Sequence, residues 1–253
     1  MIPNNVGLDE DRRLLKQLIS YQASYLRWWQ THGPLEFLQQ PFRLRCPTGL
    51  QKSNNWAEFK MVRPEDYRWG IFGSPSPHHT IGFGVHSGEP VWRDVPTDYR
   101  KLLFDHVRIQ GDVENASIEQ CRALTRTAPS AFDLRNLFQF LLEEGRHTWS
   151  MVYLLLKHFG EDGLVESEAY LDRLSGDEEK PRLLRIFNVP VNDWLSHFIF
   201  CCFTDRIGKY QLNSVINGAF VPLADMARFM MYEEPFHIAI GILGLERVLF
   251  KSA

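Results

Sequence analysis

Apolar residues recur at helical spacing on both sides of a proline-rich middle. Between residues 9 and 31, Leu14, Leu15, Leu18, Ile19, Tyr21, Tyr25 and Trp28 form one stripe, and Gly33-Pro34 stops it. A second, mostly helical pattern runs from Asp98 to about Thr127, with Gly111 as a point of loosening. Ala128-Pro129-Ser130 breaks it, and Ser130 or Asp133 is placed to cap a helix that runs to Phe159 and ends at Gly160. The polar stretch 160–190 holds a short helix near Leu164 to Leu174 and a charged loop starting at Ser175. Asp193 then opens a long helix to about Asn217. Gly218 interrupts, and Pro222 suits the first turn of a last long helix reaching Phe250.

Residues 33–97 break this pattern. Eight prolines from Pro34 to Pro96 exclude helix interior there. The expectation is irregular structure with short strands near Ile81 to Val85 and Glu89 to Trp92. The aromatic residues Trp56, Tyr67, Trp69, Phe72, Phe83 and Trp92 point to packing against the rest of the chain. The predicted organisation is therefore mainly α. A helix and irregular region (1–97) is expected to pack on a four-helix bundle (98–253) as one structural unit, with no flexible linker between them.

Composition narrows the function. A chain of 253 residues that is 44% hydrophobic can bury a real core. The net charge of −3, with basic residues spread along the chain, leaves no footprint for nucleic acid. No apolar run approaches the ~20 residues of a membrane span. The start, Met1-Ile-Pro-Asn-Asn, lacks the basic-then-apolar pattern of a secretory leader, so the expected compartment is the cytoplasm. Cys46, Cys121, Cys201 and Cys202 show no CxxC spacing and read as reduced thiols.

The chemistry lies in two E-x-x-H motifs, Glu144 to His147 and Glu234 to His237, on separate long helices. Residues at i and i+3 share a helix face, so each pair can reach one point. Bundles that bind two irons use two such motifs and one carboxylate from each of two other helices. Depth along the hairpins selects those acids. Glu114 and Glu144 lie 15 residues before and after Pro129, about 22 Å from the turn at the helical rise. Asp205 and Glu234 lie 15 before and 14 after Phe220. Four carboxylates would balance two divalent ions, and one imidazole per metal among oxygens suits iron or manganese. Taken singly, Glu114 or Asp205 also fits a solvated acid or a partner of Arg108 or Lys209, and His147 a core histidine. Glu143 and Glu233 precede the motif glutamates and point about 100° away, toward solvent or an outer layer of the site. Arg146 and Arg206 adjoin the ligands and could tie down carboxylates or be exposed. His78-His79 reads as surface.

Beyond these motifs, the chain carries NLFQFLLEEGRHTWSMVYLLLKHFG (136–160), DYRWGIF (66–72), QGDVENAS (110–117), DWLSHFIFCCFTDRIGKYQL (193–212), EEPFH (233–237), the SGDEEKPR loop and the opening IPNN. In order and spacing these resemble the di-iron oxygenase components of benzoyl-CoA 2,3-epoxidases. The resemblance implies a ferritin-like helical fold, a centre of two iron ions, and epoxidation of the aromatic ring of benzoyl-CoA with dioxygen in aerobic benzoate degradation. It implies electrons from a separate reductase that carries NADPH, flavin and iron–sulfur clusters. It places the metal ligands on Glu114, Glu144, His147, Asp205, Glu234 and His237. It names no catalytic side chain beyond the metal centre.

Two departures stand out. Pro235 follows a ligand in mid-helix, where the family carries a smaller helix former, so a kink is expected that retunes the pocket or weakens metal binding. The family's chains are considerably longer, which makes this chain the expected N-terminal portion of such a component, with a whole metal site and part of the acyl-CoA site missing. Two other readings remain: a non-catalytic or metal-storing bundle, and a di-iron oxygenase acting on another CoA thioester or an amine.

Overall fold

The computed structural model describes residues 2–34, 41–43, 58–60 and 70–252. Trp56, Tyr67, Trp69 and Cys46 lie outside the described residues. The fold is mainly helical, consistent with a ferritin-like bundle. Its helices are α1 (Arg12–His32), α2 (Arg100–Gln120), α3 (Ala131–His158), α4 (Gly160–Asp172), α5 (Trp194–Val215), α6 (Val221–Met230) and α7 (Glu234–Ser252). Pro41–Arg43 (β1) pairs antiparallel with Glu58–Lys60 (β2).

Side chains at the helix starts fix the frame. Asp11 accepts the Leu14 amide at the start of α1, Ser130 the Asp133 amide of α3, and Asp193 the Ser196 amide of α5. Of the two candidates for the α3 cap, Ser130 takes the role. Asp133 instead pairs with Arg247 of α7, at 2.5 Å, and so ties the two hairpins together.

α2 pairs with α3, and α5 pairs with α7. The two antiparallel layers face each other across the buried motif residues. Gly111 does not loosen α2, which runs unbroken through it. The missing side chain makes room for Tyr170 of α4: a Cβ there would stand 2.4 Å from the phenol oxygen. Tyr170 donates to the Val107 carbonyl (2.9 Å), and its own carbonyl accepts from Asn115. Arg182 binds Asp112 (3.1 Å) and Glu119 (2.7 Å), pinning the crossover between α3 and α5 onto α2.

Three sequence expectations are corrected. The short helix near Leu164 begins earlier, at Gly160, whose φ of +62° lets the chain turn directly out of α3. The strands near Ile81 and Trp92 reduce to isolated bridges, Thr80 with Pro90 and Trp92 with Phe220, because few residues there pair in succession. The last long helix is two helices. A turn at 231–233, closed by the Glu233 amide on the Met230 carbonyl, separates α6 from α7. Pro235 is therefore the second residue of α7. Its missing N–H falls among amides that lack an intrahelical partner anyway, so it starts a helix rather than kinking one.

α1 lies on α3 and α4, with Tyr21 and Tyr25 packed edge-on against Trp149. Phe72 packs on Phe229, which joins the chain after residue 70 to α6. His78 and His79 are exposed, as expected.

Candidate metal centre

α3 presents Glu144 and His147 on one face, one helical turn apart, and α7 presents Glu234 and His237 in the same way. α2 brings Glu114 and α5 brings Asp205. Donor atoms of Glu114, Glu144 and His147 lie within 4.8 Å of one another. His147 Nδ1 stands 3.4 Å from Glu114 Oε2 and 3.9 Å from Glu234 Oε1. His237 Nδ1 stands 3.2 Å from Glu144 Oε1 and 3.8 Å from Glu234 Oε1. Two donors that share one ion at about 2 Å each stand roughly 3 Å apart. The two imidazole rings are 5.9 Å apart between centroids.

Glu114, Glu144, Glu234 and both histidines are buried, while Asp205 is half-buried. Asp205 is near enough to feel the charges of Glu234, Glu114 and His147 but is not among the three residues whose donor atoms cluster most tightly. α7 presses closely on α5, which carries it. A Cβ on Gly241 would stand 2.3 Å from the Cys202 amide nitrogen. Cys201, one turn from Asp205, touches its carboxylate. Arg206 is exposed and reaches Cys202 rather than a carboxylate. Arg108 pairs with Asp105, not with Glu114. Glu114 accepts instead from Gln110 at 2.6 Å.

Glu143 and Glu233 do not face solvent. Each reaches across to the other motif's histidine: Glu143 to His237 Nε2 and Glu233 to His147 Nε2, both at 3.0 Å. Arg146 lies between these two carboxylates, 2.5 Å from Glu233 and 3.4 Å from Glu143. Gln139 donates to Glu143. A carboxylate at Nε2 holds a proton on that nitrogen and leaves Nδ1 as the nitrogen turned toward the acids. The doubled glutamate in both motifs was the signal for this exchange in the sequence. Its direction, from one hairpin to the other, was not readable there.

The electrostatics are those of an anionic pocket. Burial, together with the charge of Glu114, pushes the Glu144 carboxyl well above the usual carboxylate range. Burial and the charge of Glu234 do the same to Asp205, and burial also raises Glu234. Glu114 is held down against its burial by Glu144 and His147. Burial opposes a charge on His147, but Glu114 and Glu233 override it and lift its pKa to about 10. Burial also opposes ionisation of Glu233, yet Arg146 and His147 hold it at about 2.

Among the described residues, His147 Nδ1, His237 Nδ1 and Asp205 Oδ2 are buried without a hydrogen-bond partner. Unpaired buried donors and acceptors are costly. Here the two ring nitrogens face Glu114, Glu144 and Glu234 at 3.2–3.9 Å, and Asp205 feels the same charges. The residues fit a pair of divalent cations, which would use these atoms and neutralise the acids.

No helix among the described residues is long and apolar enough to cross a membrane. No family model matches the chain. The chain is 49% identical over 252 residues to benzoyl-CoA oxygenase component B of Aromatoleum evansii, which covers 99% of this chain and 53% of that protein. It thus spans about half the length of the curated relative it matches. Over nearly all of its own length, the chain is similar to a portion of a benzoyl-CoA oxygenase component B.

Proposed function

We propose that this chain holds the di-iron centre of an oxygenase that epoxidises the aromatic ring of benzoyl-CoA, with dioxygen as oxidant and electrons from a separate reductase. The observation that carries the reading is the pair of buried histidines, each with Nε2 tied to a carboxylate and Nδ1 open toward the acids. Glu114, Glu144, Asp205 and Glu234 would hold and bridge the ions, and His147 and His237 would each hold one. A pair of ferrous ions bound there would supply the reduction of dioxygen.

The chain's own residues do the rest of the work at this site. The carboxylates match the charge of two divalent ions. Glu143 and Glu233 orient the rings, and Arg146 balances the charge of both. The Phe140 ring packs on His237 with centroids 4.7 Å apart, which keeps water from that side. Metal uptake must displace the proton that His147 carries in the metal-free protein.

The N-terminal helix α1 and the bundle act as one structural unit in this reading, in the cytoplasm. Two irons per chain, lost together in His147→Ala and His237→Ala, and reductase-dependent oxygen uptake with benzoyl-CoA are the expected results. Iron bound at that stoichiometry without substrate-dependent oxygen uptake would instead mark a metal-storing bundle. Uptake with other thioesters but not benzoyl-CoA would reassign the substrate.

A further inference from the structure

α2 and α5 run antiparallel beside each other, yet α2 packs mainly on α3 and α5 mainly on α7. The seam between them is closed at one end, where His197 Nδ1 stands 3.4 Å from Cys121 Sγ. It is bridged further along, where Gln211 Nε2 reaches Gln110 Oε1 at 3.4 Å. His197, Cys201, Thr204, Gly208 and Gln211 recur at steps of three and four, so they share the α5 face that looks onto α2. Counting back three residues from Gln211 and on three from Gln110 sets Gly208 level with Val113, the neighbour of Glu114. Asp205 lies one turn before Gly208 on α5. Beyond the glutamine bridge the seam widens into a surface depression of about 350 Å³, with Leu103, His106, Ser214 and Val215 in its walls.

Gly208 differs from other glycines in these helices. At Gly111, Gly163, Gly241 and Gly244 a Cβ would stand 2.4 Å or less from an atom of another segment, so close packing accounts for each. At Gly208 a Cβ would meet nothing within 4 Å. Its backbone is ordinary helix, without a positive φ. A glycine in mid-helix is less stable than alanine, and here neither packing nor backbone geometry requires one. The residue is half-buried, so the free space over it is a recess in the seam. What the missing side chain supplies is room, one turn from Asp205 and level with the turn of α2 that carries Glu114.

We propose that Gly208 is a specificity-determining residue: its missing side chain keeps open a slot between α2 and α5 that takes the aryl ring of an aryl-CoA thioester beside the metal centre. The proposal rests on the di-iron reading for its substrate. The ring lies against bare helix backbone at Gly208 and across from the half-buried Val113. The thioester arm runs along the seam past Gln211 toward the depression at His106. A methyl group at position 208 enters the slot without touching the protein, so it acts on the ligand alone.

The test is calorimetric titration of the anaerobic, ferrous-loaded protein with benzoyl-CoA and with acetyl-CoA, which has the same arm and no ring. Wild type, Gly208→Ala and Gly208→Leu are compared, with iron measured on each sample. Wild type should bind benzoyl-CoA more tightly than acetyl-CoA. Gly208→Ala should weaken benzoyl-CoA about threefold and Gly208→Leu about tenfold or more, with acetyl-CoA unchanged within about twofold. Gly208→Ala should also raise the urea midpoint by about 0.3 M, so that weaker binding is not a loosened fold. Should Gly208→Leu fail to fold, Gly208→Ala decides alone. An unchanged ratio of the two affinities in the variants, or no preference for benzoyl-CoA in wild type, would overturn the proposal. Two irons per chain with an unchanged ratio would remove the slot and leave the metal reading. A preference for benzoyl-CoA that the variants lose, in a protein holding no iron, would remove the metal reading and leave the aryl slot.

Discussion

α3 and α5 each bring an acid to the same cluster, but they live in different surroundings. α3 is covered by α1, α2, α4 and the α6–α7 arm, and nearly every residue from Leu134 to Leu156 is buried. α5 packs mainly on α7 and α6, and it leaves Leu195, Ile199, Phe203, Ile207 and Tyr210 in one exposed row at steps of three and four; Phe203 is 57% and Tyr210 71% exposed. Burial on all sides demands a partner for each polar group. The Glu143 carboxylate of α3 accordingly sits in a network with Gln139, Arg146 and His237, whereas Asp205 has an unpartnered oxygen among the described residues, with Cys201 beside it. The covered helix carries the fixed half of the site. The open helix carries the half with least support from its own neighbours.

This contrast can be broken at several points. The largest effect is expected at Arg146. Arg146→Met leaves the buried Glu143 and Glu233 carboxylates without their cation, and urea unfolding of the metal-free protein should lose about 3–5 kcal/mol. A loss under ~1 kcal/mol would mean that burial at α3 does not depend on charge pairing. Next comes the α5–α7 contact. Gly241→Ala puts a methyl against the Cys202 amide, the Phe198 carbonyl and the Cys201 carbonyl carbon, atoms that cannot rotate away. A cost of about 1–3 kcal/mol by the same measurement is expected, together with weaker iron retention, since Asp205 moves with α5.

The inner face of α5 should also reveal itself by pH. His197 is fully buried between Cys121, Cys201 and the rings of Phe140 and Trp194. Burial, helped by His237, lowers its pKa from 6.5 to about 4. Its folded form therefore resists protonation. The contribution to stability is whole above pH 6.5, declines as the pH falls toward 4, and levels off below that, a loss of about 1–3 kcal/mol. His197→Phe should flatten that segment of a stability-against-pH curve; an unchanged slope would place the acid sensitivity elsewhere. The smallest effect belongs to the outer row. Phe203→Ser should change unfolding free energy by no more than about 0.5 kcal/mol, because that ring is already in solvent. A larger loss would show that the row is covered in solution.

The sequence made the helices and the two Glu–His pairs readable because both rest on local spacing. Glu144 with His147, and Glu234 with His237, are one turn apart whatever surrounds them. Depth matching also brought in Glu114 and Asp205, although one of its assumptions was wrong: α6 and α7 are separate helices. α7 nonetheless lies against α5, because Gly241 and Gly244 set it there directly, independent of the turn. What was not readable depends on contacts between distant segments. The tolerance of Gly111 needs Tyr170, 59 positions later in the chain. The place of Pro235 depends on a turn that the apolar pattern of 223–240 runs straight through. The partners of Glu143 and Glu233 lie on the opposite hairpin.

That crossed arrangement makes the two halves of the chain interdependent. A protein in which each motif oriented its own histidine could hold a metal on either hairpin alone. Here the α2–α3 hairpin carries His147 but leaves its orientation to Glu233, and the α5–α7 layer carries His237 but leaves its orientation to Glu143. An isolated hairpin would own a histidine free to flip and a glutamate with nothing to hold. Strong metal binding would then certify that both layers have docked in register, so a nascent or damaged chain with only one layer formed would be a poor trap for iron.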